Sequence, residues 1–184
     1  MLNRNLFFTN YATVTPSQRE GIEAIFDEYE RQKITDLRQL AYILATVKHE
    51  TADTMQPIEE YGKGHGRPYG EKRKQSGAKY SDPDQLYYGR GFVQLTWYEN
   101  YDRAGNELEI ELLEQPELAL RLDIASMILV KGMVEGWFTG KKLNDYINSR
   151  FADYTNARRI INGTDRAVIV AGYAVKFAKC LQEL

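Results

Sequence analysis

The chain has 184 residues, of which 43% are hydrophobic and 27% are charged, and its formal net charge is −2. This length and composition predict a globular protein with one hydrophobic core, and we expect a single domain over residues 1–184. The near-neutral charge gives no support for nucleic-acid binding, which requires a clearly basic face. A single cysteine, Cys180, excludes an internal disulfide and a cysteine-based metal cluster.

The hydropathy of the chain argues against membrane insertion. No apolar stretch approaches the roughly 20 residues that a membrane-spanning helix needs. The apolar stretch near the N-terminus is also too short for a secretory signal. We therefore expect a protein that is made in the cytoplasm and whose export depends on another protein or on cell lysis.

Hydrophobic spacing predicts a mainly α-helical protein. The first predicted helix follows the start signals Thr15 and Pro16 and carries apolar residues at helical spacing. The second begins after Thr35 or Asp36, either of which can serve as its N-cap, and continues to Glu50. Further helices are predicted within residues 116–138, 144–162 and 165–184. The first of these ranges is expected to hold one or two helices.

A long segment, residues 61–90, separates these two groups of helices and is rich in glycine, lysine, serine and aspartate. A loop of this length inside a compact domain is usually functional or mobile, so we expect it to border a substrate groove. Its residues 63–79 carry six Lys or Arg against one Glu. They fit either a surface for an acidic polymer such as the bacterial cell wall or a solvated loop.

Glu50 is the first candidate for catalysis. It lies three residues after Val47 and seven after Ile43, so on a continuing helix it shares their apolar face. Partial burial there would raise the pKa of a carboxyl group, as a general acid near neutral pH requires. The alternative is a surface glutamate at a frayed helix end. A zinc motif is excluded, because HETAD lacks the second histidine of H-E-x-x-H and only His65 lies elsewhere.

A second carboxylate follows about ten residues later, at Glu59 or Glu60. Both come after Pro57, so the chain is expected to have left the helix and turned. When a glycosidase uses water as its nucleophile, the acid and the base stand about 6.5–9.5 Å apart. The intervening chain from Glu50 is long enough to return either residue to that distance.

The sequence YYGRGFVQLTWYENY is the third informative stretch. Gly89 and Gly91 permit close backbone approach. Gln94 and Thr96 then alternate with apolar neighbours, so their polar groups could point into a groove and hold a water or a sugar hydroxyl. The flat faces of the tyrosines and of Trp97 suit pyranose rings. A well-packed aromatic hairpin or loop is the alternative.

Four motifs in one order resemble glycoside hydrolase family 19: KHET, YYGRGFVQLTWYENY, QPELAL and RRIING, from Lys48 to about Gly163. This family contains plant-type chitinases and phage or bacterial peptidoglycan hydrolases, and the resemblance implies a lysozyme-like fold. Without the disulfides of the chitinases, the chain looks closer to the endolysin branch. The resemblance therefore favours peptidoglycan as the substrate, with chitin as the alternative. A degenerate glycan-binding module, or a structural component of a phage or secretion particle, is also open.

The resemblance further implies an inverting mechanism without a metal or an organic cofactor, in a monomer that acts on the cell wall or periplasm after release. Glu50 matches the general acid, and Thr96 matches the residue that helps to position the attacking water. Glu60 is expected to be the base, with Glu59 as the alternative. Contacts with the polysaccharide are expected from the other residues of these motifs: Tyr87, Arg90, Gln94, Trp97 and Asn162.

Three arginines, Arg158, Arg159 and Arg166, flank Asn162. One of them could pair with a catalytic carboxylate and lower its pKa, as a base would need. Alternatively, all three are surface residues at helix ends.

Overall fold

The computed structural model describes residues 2–11, 13–81 and 85–182. The described chain is mainly helical, as predicted, with seven α-helices and one antiparallel pair of two-residue strands. The α-helices are α1 (Arg4–Asn10), α2 (Pro16–Arg31), α3 (Leu37–Glu50), α4 (Tyr98–Leu108), α5 (Leu122–Glu135), α6 (Leu143–Tyr146) and α7 (Ala167–Leu181). The strands are β1 (Ile58–Glu59) and β2 (Arg90–Gly91), and short 3-10 helices cover Pro68–Glu71, Pro116–Leu120 and Asn156–Ile160.

The helices α2 and α3 begin at the caps that the sequence predicts. The Thr15 hydroxyl accepts a hydrogen bond from the Gln18 amide, and the Gln18 side chain accepts one from the Thr15 amide, which forms a capping box. The Asp36 carboxylate accepts a hydrogen bond from the Arg38 amide at the start of α3. The prediction of one or two helices in 116–138 is also confirmed, since a 3-10 helix precedes α5 there.

Helix α3 lies at the centre of the hydrophobic core. Its residues from Leu40 to Val47 are all buried. It packs along α7, while α2 packs against α5 and α1 packs against α7. Glu50 is therefore the C-terminal residue of a helix that is packed on several sides.

The sequence prediction of a helix over residues 144–162 is wrong. Helix α6 ends at Tyr146, and a turn follows in which the Asn148 amide donates to the Phe151 carbonyl at 2.9 Å. The Asp153 carboxylate then accepts from the Asn156 amide, which starts a separate 3-10 helix. Asn and Asp side chains that bond to nearby backbone favour such turns over a continuous helix.

Helix α4 was not predicted, although its buried residues Tyr101, Ala104 and Gly105 have helical spacing. The predicted long loop, residues 61–90, includes residues 82–84, which lie outside the described residues. Its described parts, 61–81 and 85–90, are largely irregular apart from one short 3-10 helix and the first residue of β2. It nevertheless packs tightly on itself, because a Cβ atom on Gly70 would lie 2.0 Å from the Gly64 carbonyl oxygen. Within the described residues, no helix combines the length and the apolarity required to cross a membrane.

Candidate active site

The carboxylate of Glu50 forms an ion pair that is buried on the arginine side and partly buried on the glutamate side. Arg158 Nη1 donates to Glu50 Oε1 at 2.5 Å, and the exposed fractions of the two side chains are 3% and 17% respectively. Arg158 is itself anchored, because its Nε donates to the Asp165 carbonyl at 3.0 Å. The expected partial burial of Glu50 is therefore observed. The surroundings differ from the apolar face expected from the sequence, because a cation contacts the carboxylate.

One of the three arginines near Asn162 pairs with a candidate catalytic carboxylate, which is one of the two alternatives that the sequence left open. This arginine is Arg158, and its partner is Glu50, the expected acid. Asn162 lies on the same segment, and its amide donates to the Arg158 carbonyl at 3.0 Å. The Asn162 side chain is exposed, so it is available for the substrate contact that the resemblance implies.

Glu59 and Glu60 lie at the end of β1 and have different surroundings. Glu59 pairs with Arg90 in the ladder between β1 and β2, and the Glu60 amide donates to the Gly89 carbonyl at 2.7 Å. Successive side chains of an extended strand point to opposite faces. The two adjacent carboxylates are accordingly bound by two separate sets of residues.

Glu59 is surrounded by hydrogen-bond donors and cations. Tyr88 donates its hydroxyl to Glu59 Oε1 at 2.8 Å, and Lys63 Nζ lies 3.3 Å from Glu59 Oε2. Arg90 Nε lies 3.8 Å from Oε1. The Tyr88 hydrogen bond is the largest cause of a lowered pKa of Glu59, against the opposing effect of burial, with Lys63 and Arg90 adding to the lowering.

Glu60 is held by one backbone and one side-chain donor. The Gly89 amide donates to Glu60 Oε2 at 3.0 Å, and the Tyr69 hydroxyl donates to Oε1 at 2.7 Å. Burial, assisted by this hydrogen bond, raises the pKa of Tyr69 to about 12. The Tyr69 ring also meets Trp97 edge to face, with 5.2 Å between the ring centroids. Both oxygens of Glu60 are thus fixed next to an aromatic pair.

Gln94 lies close to Glu60, and Thr96 is bonded to the Gln94 backbone. A Cβ atom on Gly89 would be 2.7 Å from Gln94 Oε1 and 3.3 Å from Glu60 Cβ, so both side chains lie against the same glycine. Gln94 Nε2 donates to the Ile58 carbonyl at 3.0 Å, and the Thr96 hydroxyl donates to the Gln94 carbonyl at 2.6 Å. The Thr96 oxygen keeps its acceptor capacity, which is what a bound water would use.

This segment is a tight turn and not a regular strand. Gln94 and Trp97 have positive φ angles of 54° and 77°, which non-glycine residues rarely adopt. The Trp97 amide donates to the Tyr87 carbonyl at 2.8 Å, and the amide and carbonyl of Leu95 both bond to Arg90. Strained backbone of this kind is concentrated at functional sites.

Tyr87 and Arg90 are buried beneath the turn. The Tyr87 side chain has no exposed surface, and its hydroxyl donates to the Leu113 carbonyl at 2.9 Å. The Arg90 guanidinium stacks 3.6 Å from the centroid of the Tyr88 ring and donates to the Tyr101 hydroxyl at 3.0 Å. From these positions both residues shape the site from below, and a direct contact with substrate stays a prediction.

Three residues of this site follow only weakly from the sequence. Tyr69 and Tyr88 were not singled out as ligands of the two carboxylates, and Arg158 was one of three candidates. Tyr69 lies in a glycine-rich and charged segment whose sequence carries no periodicity. Among the residues that the structure describes, no three His, Cys, Asp or Glu side chains are grouped so that they could hold a metal ion.

A helical core with a glutamate at the end of its central helix and further glutamates at a small sheet fits the lysozyme-like glycosidase fold that the sequence resemblance predicts. The comparison with known families agrees, because the model of the family described as chitinase class I matches residues 7–163. The chain belongs to glycoside hydrolase family 19.

Individual relatives point to the same family. The chain is 34% identical over 130 residues to an acidic endochitinase of Dioscorea japonica and covers 47% of that protein. It is 31% identical over 128 residues to a basic endochitinase of Brassica napus and covers 43% of that protein. The matched residues are 68% and 70% of this chain, which therefore spans less than half the length of either relative.

Solved structures show the same fold. Chitinase C from Streptomyces griseus superposes with a TM-score of 0.73 at 23% identity, over 98% of this chain and 76% of that one. The class IV chitinase of Zea mays superposes with a TM-score of 0.60 at 18% identity, over 97% and 89% of the two chains. The predicted lysozyme-like, mainly helical fold and the predicted family are both confirmed.

Proposed function

We propose that this protein is an inverting glycosidase that hydrolyses β-1,4 linkages in polymers of N-acetyl sugars, and that chitin is its first substrate to test. The family match and the two endochitinase relatives support this choice over the peptidoglycan expected from the sequence. The observation that carries the proposal is the fixed carboxylate of Glu60. It is bound by Gly89 and Tyr69 and packed against the same glycine as Gln94.

In this mechanism Glu50 protonates the glycosidic oxygen of the leaving sugar. Glu60 removes one proton from the attacking water. The other hydrogen stays on the water oxygen and forms a hydrogen bond to the Thr96 oxygen. The water attacks the face opposite the leaving group, so the product has the inverted anomeric configuration. The Arg158 guanidinium lies directly against the Glu50 carboxyl group in the structure.

Glu60 is preferred to Glu59 as the base because of what each carboxylate contacts. Glu59 accepts from Tyr88 and is paired with Lys63 and Arg90, so a hydroxyl and two cations compete with a water for its oxygens. Glu60 instead adjoins Gln94, on the side of the site that also includes Thr96. A base must lie within hydrogen-bond reach of the water that it deprotonates.

Peptidoglycan is the second candidate substrate, and the cationic segment 63–79 favours it. The side chains of Arg67 and Lys79 are exposed in this segment, and Tyr69 joins it to Glu60 and Trp97. A basic surface beside the site would attract the acidic peptide stems of peptidoglycan, whereas chitin carries no such groups. The attraction should weaken as ionic strength rises.

The test compares wild type with Glu50→Gln, Glu59→Gln and Glu60→Gln on chitin oligosaccharides and on purified peptidoglycan. We expect turnover of one of the polymers with inversion of the anomeric configuration. Proton NMR of the released sugar detects which anomer is formed. Loss of a general acid or base should lower kcat by about 100- to 10,000-fold. Glu50→Gln and Glu60→Gln should show this loss, while Glu59→Gln should keep most of the activity.

Three outcomes would change the proposal. A retained anomer would exclude the inverting mechanism. Loss with Glu59→Gln but not with Glu60→Gln would move the role of base to Glu59. A folded wild type that binds either polymer and produces no new reducing ends would instead be a glycan-binding module.

A further inference from the structure

Tyr61 is exposed in a way that no other tyrosine of this chain matches. Its relative exposure is 103%, and the other twelve of the 13 tyrosines are buried or half-buried. A tyrosine normally buries its apolar ring and leaves only its hydroxyl at the surface. Here the whole ring is presented to solvent.

The backbone under Tyr61 is held in a defined turn. The Lys63 amide donates to the Glu60 carbonyl at 3.0 Å, and Gly62 has a φ of +82° at the third position of this turn. A positive φ at that position is the signature of a type II turn. The Glu60 amide is bonded to Gly89 in the adjacent strand region. The exposed ring thus extends from an ordered corner of the site.

The position of Tyr61 relative to the proposed base gives the exposed ring a function. Tyr61 follows Glu60 in the sequence, so the Cα atoms of the two residues are about 3.8 Å apart. The aromatic pair of Tyr69 and Trp97 contacts the same carboxylate through the Tyr69 hydroxyl. The exposed aromatic face of Tyr61 is therefore one residue away from the proposed base.

We propose that Tyr61 is a sugar-binding platform, on which a pyranose ring stacks in the subsite next to Glu60. This inference rests on the proposed function, since it assigns a further substrate contact to the same site. The ring hydrogens of N-acetyl sugars form an apolar face that fits the face of an aromatic ring, and burial of both faces is favourable. The hydroxyl of Tyr61 is not required for this contact.

The test uses Tyr61→Ala, Tyr61→Phe and Tyr61→Trp in the full chain, with the hexamer of N-acetylglucosamine as the probe. Tyr61→Ala should raise KM about three- to tenfold, the range that one aromatic contact represents. Its kcat should stay within about twofold, because the reacting groups are unchanged. The Phe and Trp variants keep the flat ring and should restore KM. In a Glu50→Gln background, calorimetry should show the same loss of hexamer affinity.

Phe151→Ala is the matched control, because Phe151 is also an exposed aromatic residue, with 47% exposure. It lies in the turn after α6, whose Asn148 carbonyl accepts from Arg38 at the start of α3, at the end opposite to Glu50. Its substitution should leave KM unchanged.

The two proposals fail in different ways. Turnover by wild type with an unchanged KM and affinity in Tyr61→Ala overturns only the platform. A loss in Tyr61→Phe equal to that in Tyr61→Ala also overturns it, because the hydroxyl and not the ring would then make the contact. If wild type cuts only peptidoglycan, the same variants are compared by sedimentation with that polymer. A wild type that neither cuts nor binds either polymer overturns both proposals.

Discussion

The two carboxylates that we assign to catalysis are held by different kinds of structure. Glu50 ends a helix whose middle is entirely buried, and its partner Arg158 is 108 residues away in the chain. Glu60 lies in irregular chain and is held by a backbone amide and by one tyrosine. The first position depends on packing and charge, and the second depends on hydrogen bonds and on the small size of Gly89.

This difference suggests how the two halves of the site respond to mutation. Changes around Glu50 should lower the stability of the whole fold, because they leave a charge uncompensated inside it. Changes around Glu60 should mainly affect catalysis, because the surrounding chain can shift without opening the core. Three experiments test this difference.

The largest effect is expected from the ion pair itself. Arg158→Met removes a buried guanidinium and leaves Glu50 without its counter-charge, so we expect the free energy of unfolding to fall by about 3 kcal/mol. A double-mutant cycle with Glu50→Gln should give a coupling energy of about 1–3 kcal/mol. Both quantities are measured by urea unfolding of the four proteins.

The control for this cycle is the surface pair of Arg121 and Asp123, whose side chains are 60% and 55% exposed. Exposed pairs contribute about 0–1 kcal/mol, so the corresponding variants should show little coupling. Equal coupling energies for the two pairs would mean that Glu50 is not held by charge in the way described.

The second experiment is Gly89→Ala, which tests the Glu60 side of the comparison. The added methyl group would lie 2.7 Å from Gln94 Oε1, so the Gln94 side chain must move away from its bond to Ile58. We expect kcat/KM to fall about 10- to 100-fold, because small displacements of positioned groups are costly in catalysis. The free energy of unfolding should fall by only about 1 kcal/mol, the value of one hydrogen bond.

Gly172→Ala is the matched control for an added methyl group. A Cβ atom on Gly172 has nothing within 4 Å, and the residue lies inside α7. Alanine is the better helix former, so the free energy of unfolding of this variant should rise by about 0.5–1 kcal/mol, and its activity should be unchanged. If Gly89→Ala proved as active as Gly172→Ala, close packing at Gly89 would not position the base.

The same contrast explains which parts of the site could be predicted from sequence. Helix α3 and its end at Glu50 follow from apolar periodicity and a cap, which are local signals. The pairing of Arg158 with Glu50 requires the approach of two segments far apart in the chain, and no local pattern contains that information.

The choice between Glu59 and Glu60 as the base could not be predicted from the sequence for a related reason. Their surroundings depend on the register that places Glu59 opposite Arg90, and a shift by one residue would exchange the faces. The interruption after α6 was missed because Asn148 and Asp153 act through side-chain bonds to backbone, which outweigh the helical spacing of the apolar residues.

The smallest expected effect is a pH dependence around Glu59, tested with Tyr88→Phe. The pKa of Glu59 is lowered in the folded protein from its usual value of 4.5, with the Tyr88 hydrogen bond as the largest cause. Its contribution to stability is therefore fully present above that usual value and is lost as the pH falls through the folded pKa. Without the Tyr88 hydroxyl, the pKa of Glu59 should move back toward 4.5.

The difference in unfolding free energy between wild type and Tyr88→Phe should thus be constant above about pH 5 and shrink below it. Urea unfolding, followed by tryptophan fluorescence, measures this difference across the acid range. Tyr80→Phe is the control, because the Tyr80 hydroxyl donates to the Gln85 carbonyl and not to a carboxylate. The loss of unfolding free energy in Tyr80→Phe should stay the same across the acid pH range. If the loss of unfolding free energy in Tyr88→Phe were equally independent of pH, the Tyr88 hydroxyl would not stabilise the charge of Glu59.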